Sequence, residues 1–203
     1  MDHFNAMFED VTTHSWWRQA TGEAVAGPLE GARLPVITAS QLSLRKWLDL
    51  HPDSLVMQPD TASEENYDSE GRFERGKSKG DLTRTDPGSW KEKSWVVGVE
   101  VGTVSKAYDW NRLKSKRIIN DVIGQVPVVV VLSTDDNSFA AFRRPETSWE
   151  FTLKGDVLSA HDQHYDLGGR NLGSTSRPLE ALGAHQEFWH SWRTFHPGTL
   201  VDL

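Results

Sequence analysis

The densest run of chemistry-bearing side chains lies near the end of the sequence. It reads His185-Gln186-Glu187-Phe188-Trp189-His190-Ser191-Trp192-Arg193-Thr194-Phe195-His196. Taken as a helix over residues 184–195, it sets Glu187 and His190 three apart on one face, and likewise Gln186, His190 and Arg193. An imidazole beside a carboxylate can ligate a divalent metal, with further ligands such as His161 or His164 from elsewhere. On that reading Glu187 and His190 are the candidate metal ligands and, with Asp121, the candidate catalytic groups. The competing reading buries Phe188, Trp189, Trp192 and Phe195 as an apolar stripe and turns the polar residues outward. The stretch carries no HExxH or other motif tied to a known mechanism.

Asn120-Asp121, between two isoleucines and Gly124, is the second candidate. The pair can hold a turn by bonding its own backbone, or Asp121 can act as a general base or metal ligand at a strand mouth. Nine tryptophans could supply aromatic platforms for sugars, but most sit inside apolar patterns that suit a core. Trp17, Asn120 and Arg193 stand as the candidate ligand-binding residues. His51 and His196 each precede a proline at a helix end, where an imidazole can donate to a terminal carbonyl and favour the negative end of the dipole. Gly168-Gly169-Arg170-Asn171-Leu172-Gly173 lacks the spacing and the Lys-Ser/Thr of a phosphate loop and reads as a turn, and Gly-x-Ser-x-Gly does not occur.

Positioning these groups requires a folded core, and the composition provides for one. The chain has 203 residues, 37% hydrophobic and 25% charged. That is too apolar for disorder and too polar for a membrane protein. A net charge of -7, with bases scattered among acids, argues against nucleic acid as a partner. The absence of cysteine removes disulfides, thiolate nucleophiles and Cys-ligated metals. No run approaches the roughly 20 apolar residues of a transmembrane helix, and the N-terminus lacks a signal peptide's basic start and apolar segment.

Short strands are expected at residues 4–8, 24–26 and 34–37. A helix follows, capped by Ser43, striped by Leu44, Trp47 and Leu48, and stopped near His51 by Pro52. Residues 55–57 read as a strand. Residues 58–93 contain hardly any aliphatic side chains and read as an exposed polar connection. Its acids Asp68, Glu70, Asp81 and Asp86 lack the spacing of a calcium loop. Beyond it, strands are expected at 96–101, 126–132, 139–142, 149–153 and 157–158, a helix at 106–116 and the last helix at 184–195. The fold class is α+β and strand-rich.

The two helix ends repeat. Trp47-x-x-x-His51-Pro52-x-Ser54-Leu55-Val56 has the spacing of Trp192-x-x-x-His196-Pro197-x-Thr199-Leu200-Val201, and Pro28-Leu29-Glu30 matches Pro178-Leu179-Glu180. The sequence therefore reads as a duplicated module: an incomplete first copy over 1–57, the polar connection 58–93, and a complete second copy over 94–203. On that reading the first copy lacks its β-rich front half, and more sequence is expected before Met1.

At this point the chain resembles a bacterial family, domain of unknown function 3179. The residues that carry the likeness are Trp17-Arg-Gln-Ala-Thr-Gly22-Glu-Ala-Val-Ala-Gly27-Pro-Leu and Gly98-Val-Glu-Val-Gly102 followed by Ala107-Tyr108. To these add Ile119-Asn120-Asp121-Val-Ile-Gly124 with Pro127-Val-Val-Val, and Phe188-Trp189 through Phe195-His196-Pro197. The resemblance implies exported or membrane-anchored proteins that begin with another "Ala-Tyr … Asn-Asp … Gly … Pro-Val" block and a cysteine-bearing segment. It implies no activity. The expected function is a non-enzymatic module binding a small ligand, a metal or a partner protein between the two copies. The alternative is a metal-assisted enzyme using Asp121, Glu187 and His190. A divalent metal is the one cofactor these residues suggest, and a homodimer is compatible with them. The location is extracytoplasmic or membrane-anchored if an upstream segment carries an export signal, and cytoplasmic if the chain is complete.

Overall fold

The seven-residue run Val126–Leu132 is apolar at every position, which suits a strand covered on both faces. In the computed structural model, which describes residues 2–3, 5–66, 84–173 and 177–203, it is the strand around which three layers are built. The chain is α+β and strand-rich. Its elements, in order, are β1 (Met7–Glu9), β2 (Trp16–Arg18), β3 (Ala24–Ala26), α1 (Leu44–Leu50), a 3₁₀ turn (Thr61–Asn66), β4 (Trp95–Val101), β5 (Val104–Asp109), α2 (Trp110–Lys116) and β6 (Ile118–Ile123). There follow β7 (Val126–Leu132), β8 (Phe139–Arg143), β9 (Thr152–Lys154), β10 (Val157–Ala160), β11 (Gln163–Tyr165), β12 (Glu180–Ala181), β13 (Ala184–Phe188), α3 (Trp189–Phe195) and β14 (Leu200–Asp202).

Two four-stranded sheets, β12-β8-β7-β6 and β13-β4-β5-β14, bury one cluster between them. Val128, Val130 and Leu132 of β7 meet Val97, Val99 and Tyr108 of the other sheet there. The alternate residues Val129 and Val131 point to the opposite side, into a second cluster with Phe142, Phe151, Leu158 and Tyr165. The three-stranded sheet β11-β10-β9 supplies part of that cover, and Leu42 before α1 and Leu50 at its last position supply more. On the outer face of the second large sheet, α3 lays Trp192 over Val96 and Ala107. Residues 182–183 carry the chain from β12 directly into β13, so one turn joins an edge of each large sheet.

Several expected elements hold. The helix capped by Ser43 spans Leu44–Leu50, with the Ser43 hydroxyl accepting from the Lys46 N–H and His51 at its C-cap. Others differ. Residues 106–109 and 184–188 are strand rather than helix, because β4 takes β5 on one side and β13 on the other. Backbone pairing with a buried neighbour overrides a helical pattern only a few residues long. Asn120 and Asp121 lie within β6, and the turn falls at Gly124. Residues 34–37 and 55–57 form no strand, and Leu55 and Met57 are 98% and 96% exposed. Phe4, residues 67–83 of the polar connection and its acids Asp68, Glu70 and Asp81 lie outside the described residues.

The two Trp-x-x-x-His-Pro ends share one geometry. The His51 and His196 N–H groups donate to the Trp47 and Trp192 carbonyls, and the two C-cap ψ angles are 70° and 69°. Each imidazole lies against its tryptophan, with ring centroids 4.3 Å apart in the first and 3.6 Å in the second. The surroundings diverge. Trp192 is fully buried and its indole N–H donates to Thr199 Oγ1 at 2.8 Å, whereas α1 buries none of its residues.

Trp192 can lie flat on the sheet only because position 98 has no side chain. A Cβ built on Gly98 falls inside the van der Waals envelope of the indole. Gly98→Ala is therefore expected to destabilise the protein by about 2 kcal/mol or more, as overpacking of a rigid core does. Urea unfolding of the variant measures this, and an unchanged midpoint contradicts the packing described. Trp192→Phe in the Gly98→Ala background should recover part of the loss.

Candidate functional site

A cleft of about 620 Å³ bends round the open edge of β13. Strand alternation explains how it reaches two faces. Gln186 and Phe188 stand opposite Val97 and Trp95 and face the space between the large sheets, whereas Glu187 stands opposite Val96 and faces α3. The segment before α1 closes one side with Gln41, Leu42 and Ser43, and the N-terminal residues His3, Asn5 and Gln19 close another. Trp110 and the Asp136-Asn137 turn complete the wall.

Gln41 fixes the junction. Its backbone carbonyl accepts the Phe139 N–H at 3.3 Å, and its Oε1 accepts the Gln186 N–H at 3.1 Å. One residue thus bonds both large sheets where they approach. Beside it, Asp135 Oδ2 accepts hydroxyl protons from Ser43 at 2.7 Å and Ser138 at 2.6 Å, while Oδ1 accepts the Asn137 and Ser138 N–H groups. Burial pushes this carboxyl up, but those four bonds outweigh it and hold it at about 2.

Glu187 is 92% buried. Its Oε1 accepts from the Ser191 hydroxyl at 2.5 Å and from Asn5 Nδ2 at 3.2 Å, and its Oε2 lies 3.7 Å from His185 Nε2. Burial raises its pKa, and the neighbouring His185 imidazole with the bonds from Ser191 and Asn5 more than offsets that, leaving it below the usual carboxylate value. Glu187 is therefore an ionised, positioned group. The aromatic wall is preformed: Trp95 stacks on Phe188 with centroids 4.1 Å apart and planes 12° apart, and Trp110 meets Phe139 edge-on at 6.0 Å.

The structure distributes the sequence candidates over several places. Glu187 lines the cleft. His190, in the first turn of α3, is buried beside Phe188 with ring centroids 6.0 Å apart and does not line the cleft. Since Glu187 belongs to a strand and His190 to a helix, the shared helical face expected of them does not exist. Arg193 is exposed, ion-paired to Glu92 and set over the Trp189 ring. Trp17 sits in β2, away from the cleft lining.

Asp121 lies on the opposite side of the second large sheet from Glu187, because its partners Lys106 and Tyr108 face the inter-sheet core. It accepts from Tyr108 Oη at 2.9 Å and Lys106 Nζ at 2.6 Å. Burial raises its carboxyl, and the Lys106, Val122 and Tyr108 bonds bring it below normal, while the Tyr108 phenol is pushed far up. Asn120 clamps the residue just before β9, donating to the Phe151 carbonyl at 2.8 Å and accepting the Phe151 N–H at 2.9 Å. Both residues tie β6 to its surroundings. Among the described residues, no three His, Asp or Glu side chains converge where they could hold a metal ion.

The cleft residues that a sequence reading passes over are the carboxamides Asn5, Gln19 and Gln41. They carry no motif and come from separated segments, so only the folded chain gathers them.

With this geometry in view, a family model described as "Protein of unknown function (DUF3179)" matches residues 3–199. Searches among curated proteins and among solved structures find no match. No helix of the described residues is long and apolar enough to cross a membrane.

The Asp135 network yields a pH test. A carboxyl held at about 2 against an ordinary 3.8 contributes stability that is complete above roughly pH 4 and is lost as the pH falls towards 2. Asp135→Asn should therefore be less stable than the parent at neutral pH, with the gap narrowing between about pH 4 and pH 2. Denaturant midpoints across that range check it, and a gap that stays constant with pH contradicts the assignment.

Proposed function

Because the chain belongs to the DUF3179 family, whose description names no activity, we propose a function from the cleft alone: it is a binding module that holds a small organic molecule without transforming it. The observation that carries this reading is a cleft of about 620 Å³ with a rigid aromatic wall and several carboxamides at its edge. That size and mixture are those of small-molecule sites. The ionisable groups that line it are already engaged. Glu187 is bonded to Ser191 and Asn5, Asp136 is ion-paired to Arg117, and His3 Nε2 lies 3.8 Å from Asp2 Oδ1.

We take residues 1–57 and 94–203 as the two module copies, so the bound molecule lies between them. His3, Asn5, Gln19, Gln41, Leu42 and Ser43 come from the first, and the remaining wall from the second. A receptor role asks only that such walls be held still, and Gln41 and the Asp135 network do that. Asp121, separated from Glu187 by a sheet, fits a fastening role better than a catalytic one.

Ligand-observed NMR with mixed pools of sugars, amines, nucleosides and organic acids tests the reading. At least one compound should give saturable transfer signals, and Gln186→Trp, which fills the cleft from a strand position, should remove them without lowering the melting temperature. Absence of any binder from all four classes, or binding indifferent to Gln186→Trp, overturns it.

A further inference from the structure

The cleft also constrains what it can hold. We infer that its ligand is an uncharged, ring-shaped polyol, a saccharide in chemical class; this rests on the binding role proposed above. Charge is the first constraint. Among the described residues no Lys or Arg lines the cleft, so an anionic ligand would meet the carboxylates of Glu187 and Asp136 with no permanently charged cation on the wall. A cationic ligand would have to compete for Glu187 Oε1, which already accepts two hydrogen bonds, while Oε2 is buried beside His185. A neutral molecule meets neither cost.

The second constraint is the sense of the hydrogen bonds on offer. Gln41 Oε1 accepts a backbone N–H from Gln186, and Gln19 Oε1 accepts one from Ala6 at 3.2 Å. A backbone N–H requires an acceptor, so in both side chains the oxygen is committed and the –NH₂ end remains as a donor on the cleft wall. Gln186, whose side chain makes no hydrogen bond among the described residues, adds a donor and an acceptor. Fixed donors from several directions, with an acceptor between them, suit hydroxyl groups, which both give and accept.

The third constraint is shape. Trp95, Trp110 and Phe188 line the cleft and set apolar ring edges and surface among its polar residues. A sugar ring has polar rims and an apolar C–H face, and buried aromatic area can cover that face while amides meet the rim. Size is compatible, since about 620 Å³ exceeds what a metal ion or a few waters need.

Two substitutions isolate the donors from the fold. Gln41→Glu and Gln19→Glu each keep an oxygen to accept the backbone N–H and exchange the –NH₂ donor for a charged acceptor oxygen. The probes are glucose, maltose, cellobiose, lactose and chitobiose, with ethanolamine, choline, citrate and glucose 6-phosphate as charged controls, read by tryptophan emission and saturation-transfer NMR. At least one uncharged sugar should bind saturably and shift the emission. Each Gln→Glu variant should weaken it about tenfold, the loss of one buried hydrogen bond, at unchanged melting temperature. Binding of a charged control in place of every sugar overturns the ligand class while leaving the binding role standing. Sugar binding untouched by both variants places it outside the cleft and also overturns the inference. If no probe of any kind binds, and the broader pools above also fail, the binding role falls with it.

Discussion

A strand buried on both faces is the constraint from which the architecture follows. Val126–Leu132 has no polar position to turn towards water, so each face must find a cover. One is the sheet carrying β4 and β5, and the other is the small sheet with the flank of α1. Once β4 lies in that stack, its own outer face needs a cover in turn, and α3 supplies it through Trp192. The layers are therefore consequences of one another, and the cleft forms at the side where they fail to meet completely. Gln41 closes part of that gap with a backbone bond to one sheet and a side-chain bond to the other.

The same local unit, a helix ending in Trp-x-x-x-His-Pro, occurs in two settings. After His196 the chain continues as β14, parallel to β5, with Leu200, Val201 and Asp202 in register with Lys106, Ala107 and Tyr108. After His51 the matching residues Leu55, Val56 and Met57 pair with nothing among the described residues and remain open to solvent. The imidazole lies against the indole in both, tilted in the first and stacked in the second, so the turn is held by local contacts. Whether the following residues become strand is decided by the neighbouring backbone.

That distinction also explains how far the sequence could be read. Elements set by their own residues were legible: β7 from its unbroken apolar run, and α1 from Ser43 and Pro52. Residues 106–109 and 184–188 were misread as helix because their pattern is short and the deciding partner, β4, is remote in sequence or visible only as a possible neighbour. At the site, Glu187 stood out as a carboxylate among aromatics. Its partner Asn5, and the carboxamides Gln19 and Gln41, did not, since an amide acquires meaning only from what it faces. Asp121 and Asn120 looked like a turn or a strand mouth in one dimension and stand inside β6, bonded to Tyr108, Lys106 and Phe151.

The bond from the Gln186 N–H to Gln41 has a bearing on solubility. β13 is the outermost strand of its sheet, and an outermost strand offers its spare backbone groups to any other extended chain. At Gln186 that offer is already taken up by a side chain of the same molecule. The glutamine that helps to shape the cleft therefore also shields this border against edge-to-edge aggregation.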